Sequence, residues 1–430
     1  MKHAELRLNY PFLPVVVSTL ALLVLVDTTQ VWKVLLFSLG SAWLIAYLWA
    51  RSLLQGLSLR REVRYGWAQV GDHLENRFTV QNSGWATATW LEVIDHSDIA
   101  TYQNNRVTGI EGRTSRSWRT EGICTQRGVF NLGPTSLRTG DPLSIYTVLI
   151  HDPTSVSLMV VPPIVPLPYI DIAPGGRSGA GRPRPNAPER SVSASHVRPY
   201  VPGDDMRLLH WRTTARHATP YLRVLDGTPS GDWWIILDLD RQVQVGQGWD
   251  STLERGILLA ASLADRGLRQ GSAIGLAASG EQLIWLSPQA GENHRWEILR
   301  ALALANPGNT PLDDLLASNP QSFGRWASLV LITPNRSQGW VEALLPLLWR
   351  GATPTVLLLE ARGQPDIHSA ANYQAFLHKA GIHSELIAPD LFDRPEVHPG
   401  TQGQWGWRIG ATGRAIPTRK PADMSWRTLS

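Results

Sequence analysis

Residues 233–240 read WWIILDLD. Five successive apolar residues, Trp233 to Leu237, run into Asp238-Leu239-Asp240. A short run that is apolar on successive positions, not alternate ones, predicts a strand buried on both faces. The pattern recurs downstream. SAIGLAA (272–278), QLIWLS (282–287), ASLVLIT (327–333) and TVLLLE (355–360) read as strands, and SELIA (384–388) as a last one. Helical stretches stand between them. Ser251 to Leu268 places Leu253, Ile257, Ala260, Ala261 and Ala264 near one face, and 294–305, 338–350 and 369–381 read the same way. Strands alternating with helices predict a doubly wound α/β domain with a mostly parallel sheet. From about Gly400 the chain is rich in Gly, Trp and Arg and reads as irregular.

Upstream lies the densest signal in the chain, VRPYVPGDDMRLLHWRTTARHATPYLRV (197–224). Pro202-Gly203 marks a turn. Asp204 and Asp205 follow where a helix N-cap and the positive end of a helix dipole would favour carboxylates. MRLLHWRTTARH (206–217) then reads as a short helix carrying Arg207, Arg212 and Arg216. This string resembles the signature of the domain of unknown function 58 family. It stands here as Arg198, Tyr200, Pro202-Gly203-Asp204-Asp205, Arg207, His210-Trp211-Arg212 and Ala215-Arg216. An acid beside a histidine invites a general base at Asp205 and His210. No nucleophile is marked, however, and Ser193 and Ser195 lie in an unremarkable extended stretch. The favoured reading is a charge-assisted network of Asp204 and Asp205 with the arginines, structural or partner-binding. Trp211 is then expected to pack, with Leu208 and Leu209, against a core. No catalytic residue is assigned, and a hydrolase built on Asp205 and His210 is the alternative.

The α/β region resembles a von Willebrand factor A domain, which that family carries after its signature. The resemblance implies a metal-ion-dependent adhesion site begun by Asp-x-Ser-x-Ser. Here Asp238 matches the first acid, but Asp240 and Gln242 replace the two serines. Thr310 matches the threonine element, and Thr333-Pro334-Asn335 stands where a later Asp is expected. Hard cations take oxygen ligands, and Asp238, Asp240 and Thr310 can offer three. The set is degenerate. No cofactor is expected, with Mg²⁺ as the one candidate.

At the other end, PFLPVVVSTLALLVLV (11–26) carries no charge, and VWKVLLFSLGSAWLIAYLWA (31–50) carries one lysine. Each approaches the roughly 20 residues that cross a hydrocarbon core of about 30 Å. Two transmembrane helices joined at Asp27-Thr28-Thr29-Gln30 are expected, in preference to a cleaved signal peptide. Lys2 and Arg7 precede the pair, and Arg51, Arg60, Arg61 and Arg64 follow it. The positive-inside rule therefore places both ends in the cytoplasm. From Arg61 to Pro162 apolar and polar residues alternate between Gly, Asn and Asp turns, which predicts an all-β, immunoglobulin-like sandwich of about seven strands. Asp141-Pro142-Leu143-Ser144-Ile145-Tyr146 and Arg127-Gly128 also match the resembled family, without pointing to chemistry. Residues 162–188, rich in Pro, Gly and Arg, read as a linker. They lack the Gly-Lys-Ser/Thr of a nucleotide-binding loop. Arg177, Arg182, Arg184 and Arg190 can lie on anionic lipid.

The formal charge is +4, which does not by itself demand nucleic acid as partner. The single cysteine, Cys124, excludes an intrachain disulfide and a cysteine-based zinc site. The expected organisation is a membrane hairpin of two transmembrane helices (1–60), a β-sandwich (61–162), linker and signature (163–230), a von Willebrand factor A-like domain (231–395) and a tail (396–430). The expected function is that of a non-enzymatic, membrane-anchored adaptor facing the cytoplasm, with no nucleic-acid partner. The resemblance implies a prokaryotic source and work beside a MoxR-type AAA+ ATPase in assembly or maturation of proteins, with a transglutaminase-like membrane protein as a further partner. A buried acid–arginine pair loses about 3–5 kcal/mol when one member is removed. Asp205→Ala should therefore lower the melting temperature, and Asp205→Asn should do so less. An Ala variant that melts like the parent but no longer binds its partner would make Asp205 a recognition residue.

Overall fold

A computed structural model describes residues 3–27, 29–63, 66–99, 101–102, 105–165, 167, 170, 172, 190–199, 209–217, 219–227, 233–318, 323, 327–361, 367–389, 406–409, 415–419 and 427–428. The chain divides into two compact units, Met1–Val161 with Gln402–Ser430, and Pro162–Thr401.

The first unit begins with strand β1 (His3–Leu8), followed by helices α1 (Leu13–Val26) and α2 (Gln30–Gly56). Ten strands follow: β2 (Leu57–Val63), β3 (Trp67–Gln69), β4 (His73–Asn82), β5 (Ala88–Asp95), β6 (Arg106–Ile110), β7 (Thr114–Ile123), β8 (Gly128–Leu132), β9 (Thr135–Gly140), β10 (Tyr146–Asp152) and β11 (Val156–Val161). They form a sheet ordered β1-β10-β9-β5-β6 and a smaller one ordered β3-β11-β8. A further sheet holds β2, β4 and β7. The strands are more numerous than the seven expected, and β1 comes from a segment read only as a charged lead-in. It pairs antiparallel with β10, from His3 opposite His151 to Leu8 opposite Tyr146.

Only α2, among the described residues, is long and apolar enough to cross a membrane. The other expected span, α1, is a 14-residue helix, shortened because Pro11 and Pro14 confine its start and Asp27 takes its C-cap. The last third of α2 is built into the β-rich unit. Ala46, Ala50, Leu53 and Gly56 are buried there. Trp43 Nε1 donates to Tyr146 Oη at 2.7 Å, and Trp49 Nε1 donates to the Thr87 carbonyl at 3.0 Å. At the helix end, Ser83 N donates to the Gly56 carbonyl at 2.9 Å. A Cβ on Gly56 would overlap the backbone of Gly84, so only glycine lets the helix end meet this turn.

One buried ion pair ties β2 to β5. Arg61 Nη1 lies 3.1 Å from Asp95 Oδ1, with side chains 5% and 1% exposed. The guanidinium also reaches Ser97 Oγ at 3.2 Å and stands over the rings of Phe78 and Tyr102. Burial pushes the Tyr102 hydroxyl well above its ordinary pKa, against the opposing pull of Arg61.

The second unit opens with strand β12 (Arg190–Pro199), helix α3 (Trp211–His217) and strand β13 (Tyr221–Gly227). Then come β14 (Trp233–Leu237), α4 (Thr252–Arg269), β15 (Ile274–Ser279), β16 (Leu283–Gln289), α5 (Glu292–Ala303), α6 (Leu312–Ser318), β17 (Ser328–Thr333), α7 (Gly339–Trp349), β18 (Thr353–Leu359), α8 (Ile367–Lys379) and β19 (His383–Ile387). Its sheet is ordered β16-β15-β14-β17-β18-β19, parallel except for β16. The expected mixed α/β architecture is therefore present. Ser251 caps α4 by accepting from Glu254 N at 3.2 Å, so Ser-x-x-Glu marks its start. Trp234, Trp285 and Phe323 pack with ring centroids 4.9–5.2 Å apart on one face of the sheet. Part of the expected linker lies on α4. Val165 N donates to Ser262 Oγ at 3.0 Å, and Arg266 Nη2 to the Ile170 carbonyl at 3.0 Å. Beyond Gly400, strands β20 (Gly406–Ile409), β21 (Ala415–Arg419) and β22 (Arg427–Thr428) replace an expected irregular tail. The last pairs with β2 in the order β22-β2-β4-β7 and belongs to the first unit.

Removing one half of the buried Arg61–Asp95 pair should be far worse than removing both. Asp95→Ala is expected to destabilise the protein by about 3–5 kcal/mol, because the guanidinium stays buried without its counter-charge. Asp95→Leu combined with Arg61→Met should recover most of that loss in a denaturant titration. Equal losses for the single and double variants would show that the pair is not coupled.

Candidate functional site

The signature segment frames α3. Strands β12 and β13 pair antiparallel, with His196 opposite Val224, Arg198 opposite Leu222 and Pro199 opposite Tyr221. Tyr200, Gly203, Asp204, Asp205 and Arg207 lie outside the described residues, and so does the expected pairing of Asp205 with an arginine. The helix expected from Met206 begins only at Trp211. His210 N donates to the Tyr221 carbonyl at 2.7 Å, which holds His210 outside the helix. Its Nδ1 accepts from Thr213 N at 3.3 Å and lies 2.7 Å from Thr213 Oγ1. His210 thus caps α3, a role the sequence assigns to the aspartates. Trp211 is 72% exposed, contrary to the expectation that it packs on a core. Its position as the first residue of the helix turns it outward, while Leu209, two residues earlier, is buried. Arg212 and Arg216 are exposed.

The second cluster sits at the carboxyl end of the parallel sheet, where β14 and β17 adjoin. Their register sets Leu237 opposite Ile332, which brings the next residues, Asp238 and Thr333, together. Thr333 Oγ1 donates to Asp238 Oδ2 at 2.6 Å, and Asp240 N donates to Asp238 Oδ1 at 3.1 Å. Gln242 N donates to Asp240 Oδ1 at 3.0 Å, and Gln244 Nε2 to the Asp238 carbonyl at 2.9 Å. Asp240 bridges to Gly308, which brings the loop carrying Thr310 beside it. A Cβ on Gly308 would overlap Gly280, so glycine permits this approach. Asp238 and Asp240 are 3% and 5% exposed. Burial raises the Asp238 pKa from 3.8 to about 6, opposed by the bonds from Thr333 and Asp240 N and helped by the charges of Asp240 and Asp313.

The set offers a hard cation two carboxylates, Asp238 and Asp240, with Thr310 in the neighbouring loop. Both oxygens of Asp238 and one of Asp240 already accept protein hydrogen bonds. Among the described residues, no group of three or more His, Cys, Asp or Glu side chains is placed to hold a metal. Sequence reading missed Thr333 as the partner of Asp238. The signal was there, since Thr333 ends its apolar run in the same register as Asp238.

Comparison with known proteins places residues 196–348 in a match to the family described as "Protein of unknown function DUF58". Uncharacterized protein YeaD of Bacillus subtilis is 25% identical over 180 residues, covering 42% of this chain and 43% of its own length. An uncharacterized protein of Mycobacterium bovis is 26% identical over 105 residues, covering 24% of this chain and 33% of its own. The chain thus spans a third to under half of the length of these curated relatives. Among solved structures, the CARDB domain of a Pyrococcus furiosus protein matches with a TM-score of 0.19 at 14% identity, over 25% of this chain and 90% of that one. That likeness carries no argument.

The raised pKa of Asp238 makes a signed prediction. Its folded pKa of about 6 lies above the ordinary 3.8, so its contribution to stability is full below about pH 4 and is lost as pH rises through about 6. The difference corresponds to about 3 kcal/mol. Asp238→Asn removes the titration. Relative to the parent, the variant should gain up to about 3 kcal/mol between pH 4 and pH 7 in denaturant titrations. A gap that stays constant across that range would mean that Asp238 is already ionised in the folded protein at low pH.

Proposed function

We propose that the chain is a membrane-anchored interaction protein. It is carried on a hairpin of α1 and α2 with both ends on the cytoplasmic side. In this reading the β-rich unit is an immunoglobulin-like sandwich and the α/β unit is of the von Willebrand factor A kind. The carboxyl edge of its sheet is offered to a protein partner. A MoxR-type AAA+ ATPase acting in assembly or maturation of other proteins is the first partner to test.

One observation carries the anchor. The segment before the hairpin, β1, and the segment after it, β2, are strands of one compact unit. A single crossing by α2 would place them on opposite sides of the membrane and pull β1 off β10. A double crossing keeps them together. The basic residues Arg7 and Arg51 at the outer ends favour the cytoplasm for both. The partner surface is supported by the general position of binding sites in open α/β sheets, at the carboxyl ends of strands where the order reverses. In this sheet that point lies between β14 and β17. Arg241, in the loop after β14, is exposed there.

Two measurements test the reading together. Thr29→Cys should label with an impermeant maleimide in intact cells, and Ser430→Cys should label only after lysis. The detergent-solubilised full chain should co-purify the MoxR-type ATPase of the same cell, and Arg241→Glu should weaken that capture. Labelling of Ser430→Cys from outside would sink the orientation. Undiminished capture by Arg241→Glu would remove this edge as the binding surface.

A further inference from the structure

The string Asp141-Pro142-Leu143-Ser144-Ile145-Tyr146 has no role in the reading above, yet it is a built structure. Asp141 is fully buried. Its Oδ2 accepts from Leu143 N at 2.9 Å and Ile145 N at 3.3 Å, and its Oδ1 from Tyr146 N at 2.6 Å. Ser144, at φ 56°, donates its N–H to the Asp141 carbonyl at 3.0 Å. One carboxylate thus organises the whole turn between β9 and β10, and the turn presents Leu143 to the outside at 56% exposure. One exposed apolar side chain is ordinary by itself, so its meaning depends on what stands beside the turn.

The turn is fastened to both arms of the hairpin. Asn9, four residues before α1, donates its N–H to the Ile145 carbonyl at 2.9 Å and its Nδ2 to the Ser144 carbonyl at 2.8 Å. Its Oδ1 accepts from Thr147 Oγ1 at 2.9 Å. Tyr10 and Phe12, which follow directly, are 44% and 59% exposed. On the other arm, Tyr146 at the end of the turn meets Trp43 and stacks edge-on against Tyr47. The turn therefore lies at the level of Trp43 to Tyr47 on α2.

Lengths then fix where that level falls. From Val31 to Trp43 the helix rises only about 18 Å, and α1 from end to end about 20 Å. Neither covers a hydrocarbon core of about 30 Å. On α2 the outward face stays apolar past the docking point, through Leu44, Ile45 and Leu48, exposed by 58%, 56% and 47%. The first charge after the apolar stretch is Arg51. From Val31 to Leu48 the rise is about 26 Å, close to what the bilayer requires. Keeping that face out of water draws the membrane surface down past Trp43. The end of the β-rich unit that abuts Trp43 goes with it.

We propose that the Asp141–Tyr146 turn is a membrane-seated tip. Leu143, with Tyr10 and Phe12 nearby, inserts into the headgroup and upper acyl zone of the bilayer, so its ligand is a lipid surface. The proposal rests on the hairpin of α1 and α2 being the anchor. Tyrosine and tryptophan at this level, Tyr10, Trp43 and Tyr47, suit an interfacial belt. The β-rich unit is thereby held against the membrane by three contacts, two helices and a turn.

The test uses the full chain reconstituted in vesicles of mixed zwitterionic and anionic phospholipid. Its single cysteine, Cys124, is buried and does not compete for label. Three variants, Leu143→Cys, Phe37→Cys and Ser155→Cys, each carry one environment-sensitive fluorophore. Phe37 lies within the free part of α2 and is exposed, and Ser155 lies in the exposed turn after β10, at the opposite end of the β-rich unit. Lipids bearing a nitroxide near the glycerol should quench the Leu143 probe by about twofold or more relative to the Ser155 probe, as expected for a group in the interface. A nitroxide deep in the acyl chain should quench the Phe37 probe. A Leu143 probe that behaves like Ser155, while Phe37 is quenched by the deep nitroxide, overturns the inference and leaves the anchor standing. A Phe37 probe untouched by either lipid overturns the anchor, and the inference falls with it.

Discussion

Strand β1 can pair with β10 only if the chain that leaves it at Leu8 comes back to the same place, and that requirement governs the first unit. Six residue pairs, from His3–His151 to Leu8–Tyr146, join a segment before the apolar helices to a strand far beyond them. The helices between are then obliged to go out and return. The return leg, α2, does not stop at the surface of the β-rich unit but lies along β10, β1 and β4. Trp43, Trp49 and the Gly56–Gly84 approach hold it there. Helix and sheet share buried surface, so α2 is not a flexible appendage of the β-rich unit.

Inside the same unit, polar atoms are buried at some expense. Arg61 Nε and Asp95 Oδ2 lack hydrogen-bond partners. Leaving such groups unmet opposes folding, and a sheet core of apolar side chains would avoid it. What the cluster supplies is direction. The register of β2 against β4 sets Arg61 opposite Phe78, and only there does its guanidinium stand over the rings of Phe78 and Tyr102 with Asp95, from the other sheet, at its end. A slip of one residue would turn Arg61 to the opposite face. A slip of β2 against β4 would therefore leave Asp95 buried without its counter-charge.

The α/β unit was legible because its physics is local. WWIIL, IGLAAS, SLVLIT and TPTVLLL are buried almost throughout, and a strand covered on both faces must read as unbroken apolar sequence. Strand β1 shows alternation, with Ala4, Leu6 and Leu8 against His3, Glu5 and Arg7, but six residues beside a long apolar run gave it no independent weight. Its partner is too distant for any local pattern to reveal. β12 was legible only as an extended stretch, for the opposite reason. SVSASHV carries few large apolar residues, and its strand state depends on β13. In the signature, the cap of α3 was assigned to the aspartates because carboxylates are the commoner cap. The hydrogen bond from His210 N to the Tyr221 carbonyl decides otherwise, and it joins residues 11 positions apart through a strand the pattern did not mark.

The carboxyl edge of the α/β sheet shows how one residue changes what a loop can do. Here the parallel register sets Thr333 directly beside Asp238, and the hydroxyl donates to it. Thr333 Oγ1 in turn accepts from Asn335 N at 2.9 Å, so the loop after β17 is bound into the same chain of hydrogen bonds as the loop after β14. Desolvation raises the Asp238 pKa to about 6, which brings the carboxyl closer to the neutral form that a buried, metal-free position favours. The two loops that meet at the switch point are thereby joined without an ion. The exposed surface of this edge is set by side chains at the rim, Arg241 among them, while the acids beneath are engaged with the backbone and with Thr333.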